Sequence, residues 1–424
     1  MITTNANRNG FKHSKVGWIP KDWKTQAISS VADIRFSGVD KNTIEGETPV
    51  RLCNYTDVYY RDTVGPDVDF MSASATATEI SRFELRENDV LVTKDSESAD
   101  DIAVPCFVKA DAPGVLCGYH LALIRPDANV LCGRYLSYAL KTDHARNDFR
   151  RFANGVTRFG LTSDTFEKVL IPVPPLEEQH EIAKIISKCD DLIDVHGDLI
   201  TAKKRQKRAL QQQLLTGKKR LPRFKAVWRE VCLNDLCTRL TTVAEDPNGY
   251  PVLSITAGTG FVSQEDKFSR VIAGKQVENY VLLRRGEFAY NKGNSYRFPQ
   301  GCVYQLSEYD EGLVPNVFYS FKLNERKADQ EFIKQYFLSG MHNKNLYRWI
   351  NSGVRNNGLL NLNASDFFKL PIDLPPLDEQ HAIGDVLRTA DEEIKSLNDK
   401  LVALKDRKSG LMQKLLTGQV RIKI

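Results

Sequence analysis

No run of eighteen apolar residues occurs in this chain, so no segment is expected to span a membrane. The first residues, MITTNANRNGFKHSK, lack the apolar stretch of a signal peptide, and the expected location is the cytoplasm. Eight cysteines (Cys53, Cys106, Cys117, Cys132, Cys189, Cys232, Cys237 and Cys302) are scattered without a C-x-x-C pair. The seven histidines do not join them at metal-ligand spacing. A disulfide framework and a zinc site are therefore disfavoured, and buried thiols are the reading for most of these positions. A phosphate-cradling G-x-x-x-x-G-K-[ST] is missing too, and Gly258-Thr259-Gly260 lacks the third glycine and reads as a turn. Val173 and Leu374, not Asn or Asp, precede the Pro-Pro pairs at Pro174 and Pro375, so neither pair carries a methyltransferase signature. Charge of one sign is also scarce: Lys+Arg of 59 against Asp+Glu of 54 leaves only +5, little for a chain that would hold polyanions unaided.

Repetition is what the sequence does have. A length of 424 residues suits two to four domains. PPLEEQHEIAKIISK…LLTGKKR from Pro174 and PPLDEQHAIGDVLRT…LLTGQVR from Pro375 align without a gap, and about twenty of forty-seven positions are identical. Upstream the match is fainter but continues: Trp23-Lys24 with Trp228-Arg229, LRENDVLVTK with LRRGEFAYNK, and Gly155-Val156 with Gly353-Val354. The chain is two copies of one unit, a globular part followed by a helical part.

Each helical part opens with Pro-Pro, which favours extended backbone, and then places Glu177 and Glu178, or Asp378 and Glu379, in the first turn, where the helix dipole favours negative charge. Seam residues then recur at spacings of four and three for almost five heptads. One seam runs Ile182, Ile186, Cys189, Ile193, His196, Ile200, Lys203, Lys207, Leu210, Leu214; the other runs Ile383, Leu387, Ala390, Ile394, Leu397, Leu401, Leu404, Lys408, Leu411, Leu415. Gly217 and Gly418 stand where a C-terminal glycine stop belongs. Two matching stripes are expected to pack against each other, and spacing alone permits either orientation. The run Lys203 to Arg208 suggests a nucleic-acid patch, but the less basic second copy, Lys405-Asp406-Arg407-Lys408, favours the charged exterior of the coil, with Lys203 and Lys207 reaching out from the seam. His180 and His381, each beside a glutamate, read as capping or packing residues rather than acid–base groups. The globular parts, with short runs such as VLVTK, HLALIRP, FAYNK and VFYSFKL and helical segments over 136–149 and 331–346, read as α+β.

These residues carry a resemblance. Paired units with Gly17-Trp18-Ile19-Pro20 or Phe224 to Trp228 near the start, and PPL-x-EQ-x-x-I heading a long helix at Pro174 and Pro375, resemble the specificity subunits of type I restriction–modification enzymes over the full length. The resemblance implies an α+β fold of two tandem target recognition domains, 1–173 and 222–374. These would be separated by two long helices, within 174–221 and 375–424, forming an antiparallel coiled coil. It further implies that each domain reads one half of a split, asymmetric site in double-stranded DNA. The chain itself would be non-catalytic and hold no cofactor. It would anchor two methyltransferase subunits using S-adenosylmethionine and, where present, two restriction–translocase subunits using ATP and Mg. Base readout requires polar side chains on protruding loops. On that ground the expected DNA-contacting residues are Lys94, Ser96, Arg151, Thr157 and Arg158 in the first unit. In the second they are Lys292, Asn294, Ser295, Arg297, Arg355, Asn356 and Asn357. Two rival classes are a coiled-coil adaptor whose globular parts bind peptides, and an enzyme with its site in one globular part.

Overall fold

The computed structural model describes residues 10–268, 274–293, 297–350 and 360–422. The chain divides into two compact units, one of Met1–Val195 with Leu401–Ile424, the other of His196–Lys400. Two long helices, Leu176–Leu214 and Leu377–Leu416, contribute to both.

In the first unit a five-stranded sheet has the order Ala32–Phe36, Leu121–Pro126, Val90–Thr93, Pro105–Val108, Thr63–Val64. Its first four strands pair antiparallel, and only the short Thr63–Val64 edge is parallel. A second sheet, Val115–Cys117, Thr48–Cys53 and Met71–Ala75, packs a separate core of Leu52, Cys53, Cys106, Leu116 and Leu123. In the second unit a four-stranded antiparallel sheet has the order Cys237–Leu240, Tyr319–Leu323, Phe288–Asn291, Cys302–Gln305. That order is the strand order of the first four strands above. The sequence repeat is thus a repeat of topology. Each unit also ties its start to the approach of its long helix by a two-stranded antiparallel ribbon, Lys24–Ala27 with Leu170–Val173 and Arg229–Cys232 with Pro371–Leu374.

The heptad reading holds at every seam position of the long helices: all are buried or half-buried, whereas neighbours such as Leu192, Val195, Leu199 and Val402 are exposed. Inside the first unit Asp190 pairs with Lys408 and Glu178 with Arg421. Inside the second, Lys203 pairs with Glu393 at 2.6 Å and Lys207 with Asp391 at 2.5 Å. Rising numbers on one helix meet falling numbers on the other, so the paired segments run antiparallel in each unit. Lys203 and Lys207 therefore spend their charge across the seam, in keeping with a coil exterior.

The helical segments expected over 136–149 and 331–346 are each two helices. Gly133–Ala139 stops before Asp143–Phe152, because Thr142 turns extended and caps the backbone N–H of Ala145. Gln330–Leu338 stops before Asn343–Trp349, where Gly340 adopts φ +75°. Five cysteines are buried and three half-buried, all as free thiols. Burial pushes the thiols of Cys106, Cys237 and Cys302 up to about 12, which makes them inert packing residues.

Candidate nucleic-acid interface

The P-P-L-x-E-Q head does more than start a helix. Gln179 is fully buried; its Oε1 accepts the N–H of Cys132 at 2.9 Å, and its Nε2 donates to the carbonyls of Val130 and Pro174. Gln380 does the same with Asp329, Lys327 and Pro375. The preceding glutamate is the hub of a clamp. Glu178, 1% exposed, accepts from the Trp23 indole at 3.0 Å and from the Arg421 guanidinium at 2.7 and 2.9 Å. Glu379 accepts from the Trp228 indole at 3.2 Å and from Arg220 through both Nε and Nη2. The glycine stops belong to the same assembly: Gly217 (φ +65°) lies against Trp228, and Gly418 (φ +68°) against Trp23 and Pro20. The repeated tryptophan, head glutamate, stop glycine and arginine thus fasten each globular part to the helices. The dipole accounts for only part of why Glu178 and Glu379 stand there. His180 and His381 are exposed beside their buried Gln neighbours, and His381 Nε2 lies 3.6 Å from the carboxylate of Asp329, which caps the helix Gln330–Leu338.

With scaffold positions set aside, the expected DNA-contacting residues fall into three groups. Lys94 and Lys292 are equivalent and tethered. The ammonium of Lys94 donates to the Ser37 carbonyl at 2.9 Å and lies 4.4 Å from the Tyr119 ring centroid. That of Lys292 donates to the Tyr319 hydroxyl at 3.2 Å. Their own carbonyls accept the N–H groups of Leu161 and Leu360. Ser96 and Arg158 form the second group. The strand Asp95–Ser96 pairs antiparallel with Phe159–Gly160, which joins two clusters sixty residues apart in sequence. The loop before Arg158 requires Gly155, whose φ is +135° and whose absent Cβ would collide with the Arg158 carbonyl. Thr157 is exposed on that loop. Arg151 and Arg297 stand exposed apart from this pairing, Arg151 with its guanidinium over the Phe152 ring. Asn294, Ser295, Arg355, Asn356 and Asn357 lie outside the described residues.

Ser96 and Arg158 line a cleft of about 360 Å³ whose other walls sequence reasoning missed. Tyr55 and Tyr59 stack at 5.4 Å and 17° on the short helix Tyr55–Tyr59, and Tyr60 packs edge-on against Tyr59. Asn54 and Asp57 close a capping box at that helix's start. Opposite stand Asp95, Glu97, Asp101 and His120. His120 Nδ1 lies 2.9 Å from Asp95 Oδ2, and the Tyr59 hydroxyl donates to Asp101 at 2.7 Å. That bond to a carboxylate holds the Tyr59 phenol up at about 12, so it remains a donor at neutral pH. The available signal was the tyrosine spacing in Asn54-Tyr55-Thr56-Asp57-Val58-Tyr59-Tyr60, aromatic in a polar segment.

Among the described residues no group of three His, Cys, Asp or Glu could hold a metal ion, and no helix is long and apolar enough to cross a membrane. A duplicated α+β scaffold with clamped long helices defines a two-module protein. Comparison with known proteins gives the class a family. The model of the type I restriction modification DNA specificity domain matches twice, over residues 20–203 and 227–406, and the chain belongs to that family. It is similar to the putative type I restriction enzyme MjaX specificity subunit of Methanocaldococcus jannaschii, 25% identical with 97% of each chain covered. It is also similar to the EcoKI specificity subunit of Escherichia coli, 22% identical over 72% of this chain and 68% of that one. Its fold matches the S subunit of M. genitalium with a TM-score of 0.53 and 14% identity, covering 95% of this chain and 96% of that one. A second solved structure, from work on complex assembly and conformational transition of the type I system, also gives a TM-score of 0.53, at 15% identity, with 95% and 99% covered. The chain is therefore the specificity subunit of a type I restriction–modification system, a non-catalytic component, and the adaptor and enzyme readings are set aside.

Proposed function

We propose that residues 1–173 and 222–374 are two target recognition domains, each reading one half of a split, asymmetric site in double-stranded DNA. Residues 174–221 and 375–424 then serve as spacers and anchor the partner subunits. The observation that carries this reading is the unevenness of the repeat. Strand order, glutamate clamps, glutamine bolts and the Asp190–Lys408 and Asp391–Lys207 ion pairs recur. The globular sequences agree far less than the helices do, and the first unit carries the cleft of Tyr55, Tyr59 and Tyr60. One frame with two faces suits two different half-sites, and Lys94, Ser96, Arg151, Thr157, Arg158, Lys292, Arg297 and the 294–295 and 355–357 segments supply the contacts.

Two methyltransferase subunits, and restriction–translocase subunits where the system has them, dock on the helical parts, which expose Val195, Leu199 and Val402. S-adenosylmethionine, ATP and Mg are bound by those partners, which also supply phosphate contacts that a net charge of +5 leaves wanting. The complex works in the cytoplasm. The test is to express the chain with its methyltransferase, expose the complex to a random DNA library and sequence the methylated bases. A two-part motif with a fixed gap is the expected result, and methylation without a recurring motif overturns the reading.

A further inference from the structure

The cleft around Ser96 and Arg158 has a charge that decides what enters it. Asp95, Glu97 and Asp101 face one guanidinium, that of Arg158, so the cleft does not attract a phosphate. Two of the carboxylates are engaged, Asp95 with His120 and Asp101 with Tyr59. Glu97 is exposed in the bend after Asp95–Ser96 and makes no hydrogen bond or ion pair among the described residues. Beside these groups Tyr60 is 77% exposed, which gives the cleft a flat apolar wall. Glu97 on its bend and Arg158 on the adjoining loop are both exposed, an acceptor and a donor side by side, and such a pair complements the edges of a base pair.

In the major groove a C·G pair presents the N4 amino donor of cytosine beside the O6 and N7 acceptors of guanine. Carboxylates accept from that amino group, and arginine is the commonest partner of guanine. Resting on the DNA-reading role above, we propose that this cleft reads a C·G pair in the half-site of the first unit, with Glu97 on cytosine and Arg158 on guanine. The backbone pairing of Asp95–Ser96 with Phe159–Gly160 holds the Glu97 bend next to the Arg158 loop. Thymine and guanine present no amino donor in that groove, so they leave the Glu97 carboxylate desolvated and unpaired.

The experiment uses the chain assembled with its methyltransferase, as wild type, Glu97→Gln and Arg158→Ala, with thermal unfolding recorded for each to establish that the exposed substitutions leave the fold intact. Methylated fragments from a random library are sequenced. Glu97→Gln is expected to lower the preference for cytosine about tenfold at one position of one half-site. Arg158→Ala is expected to relax the guanine of that same pair, with the other half-site unchanged in both variants; relaxation at a different position overturns the proposal. Unaltered preferences at every position overturn the proposal, as does an even fall in methylation across all sequences. A wild-type complex without any recurring motif would instead remove the DNA-reading role itself, so the two failures are distinguishable.

Discussion

His342 is fully buried against Phe337, and neither ring nitrogen has a hydrogen-bond partner among the described residues. Burial pushes its pKa down to about 3, so it folds as the neutral form. The unfolded chain takes up that proton near the ordinary value of about 6.5. Stability is consequently full above that pH and falls as pH drops from there toward 3, by about 1.4 kcal/mol per pH unit from this group alone. Denaturant unfolding across pH 7 to 4 should show the slope in the second unit, and His342→Leu should flatten it; equal slopes in both proteins would contradict the account. Glu379 gives the opposite case, a buried charge fully engaged by Arg220 and Trp228. Glu379→Gln leaves the guanidinium without its counter-charge and should cost the second unit about 3 kcal/mol, measured as a shift of its unfolding midpoint. Neither residue announces its role in the sequence. A glutamate in a first helical turn reads as a dipole partner whether or not an arginine six residues beyond the other helix's end returns to it, and a lone histidine carries no mark of burial.

At the scale of elements, periodicity made the long helices legible down to individual positions, because one face of a helix must be buried along its entire length. The short helices were less legible. The 136–149 segment satisfies helical spacing throughout, yet Thr142 offers its side chain to the Ala145 N–H and ends the first helix, a local competition that periodicity does not register. The same limit hid the cleft, whose walls come from a helix, a two-residue strand and a loop that only tertiary pairing brings together. If spacer length sets the gap between half-sites, adding one heptad after Leu397 and a matching heptad in the first long helix preserves the seam phase and should lengthen the gap while both halves of the motif stay the same. A gap that does not change on sequencing the methylated sites would separate spacing from helix length.

For the whole molecule, the division of residues between the units matters more than their order along the chain. Arg220 reaches Glu379 from the middle of the polypeptide, but its counterpart Arg421 reaches Glu178 from the far end. Ending the chain at Leu416 should therefore weaken the first unit by about 3 kcal/mol or more, through loss of the Arg421 charge and the Gly418 turn. The second unit should be unaffected, so calorimetry should show one transition moving and the other staying. Movement of both would mean that the units do not unfold separately.

The first unit needs Leu415, Leu416 and Arg421, whereas the second is complete at Lys400. Dependence along the chain is accordingly reversed: the module formed by 196–400 draws on nothing later in number, while the earlier one borrows from 401–424 the partners of its Trp23 and Glu178.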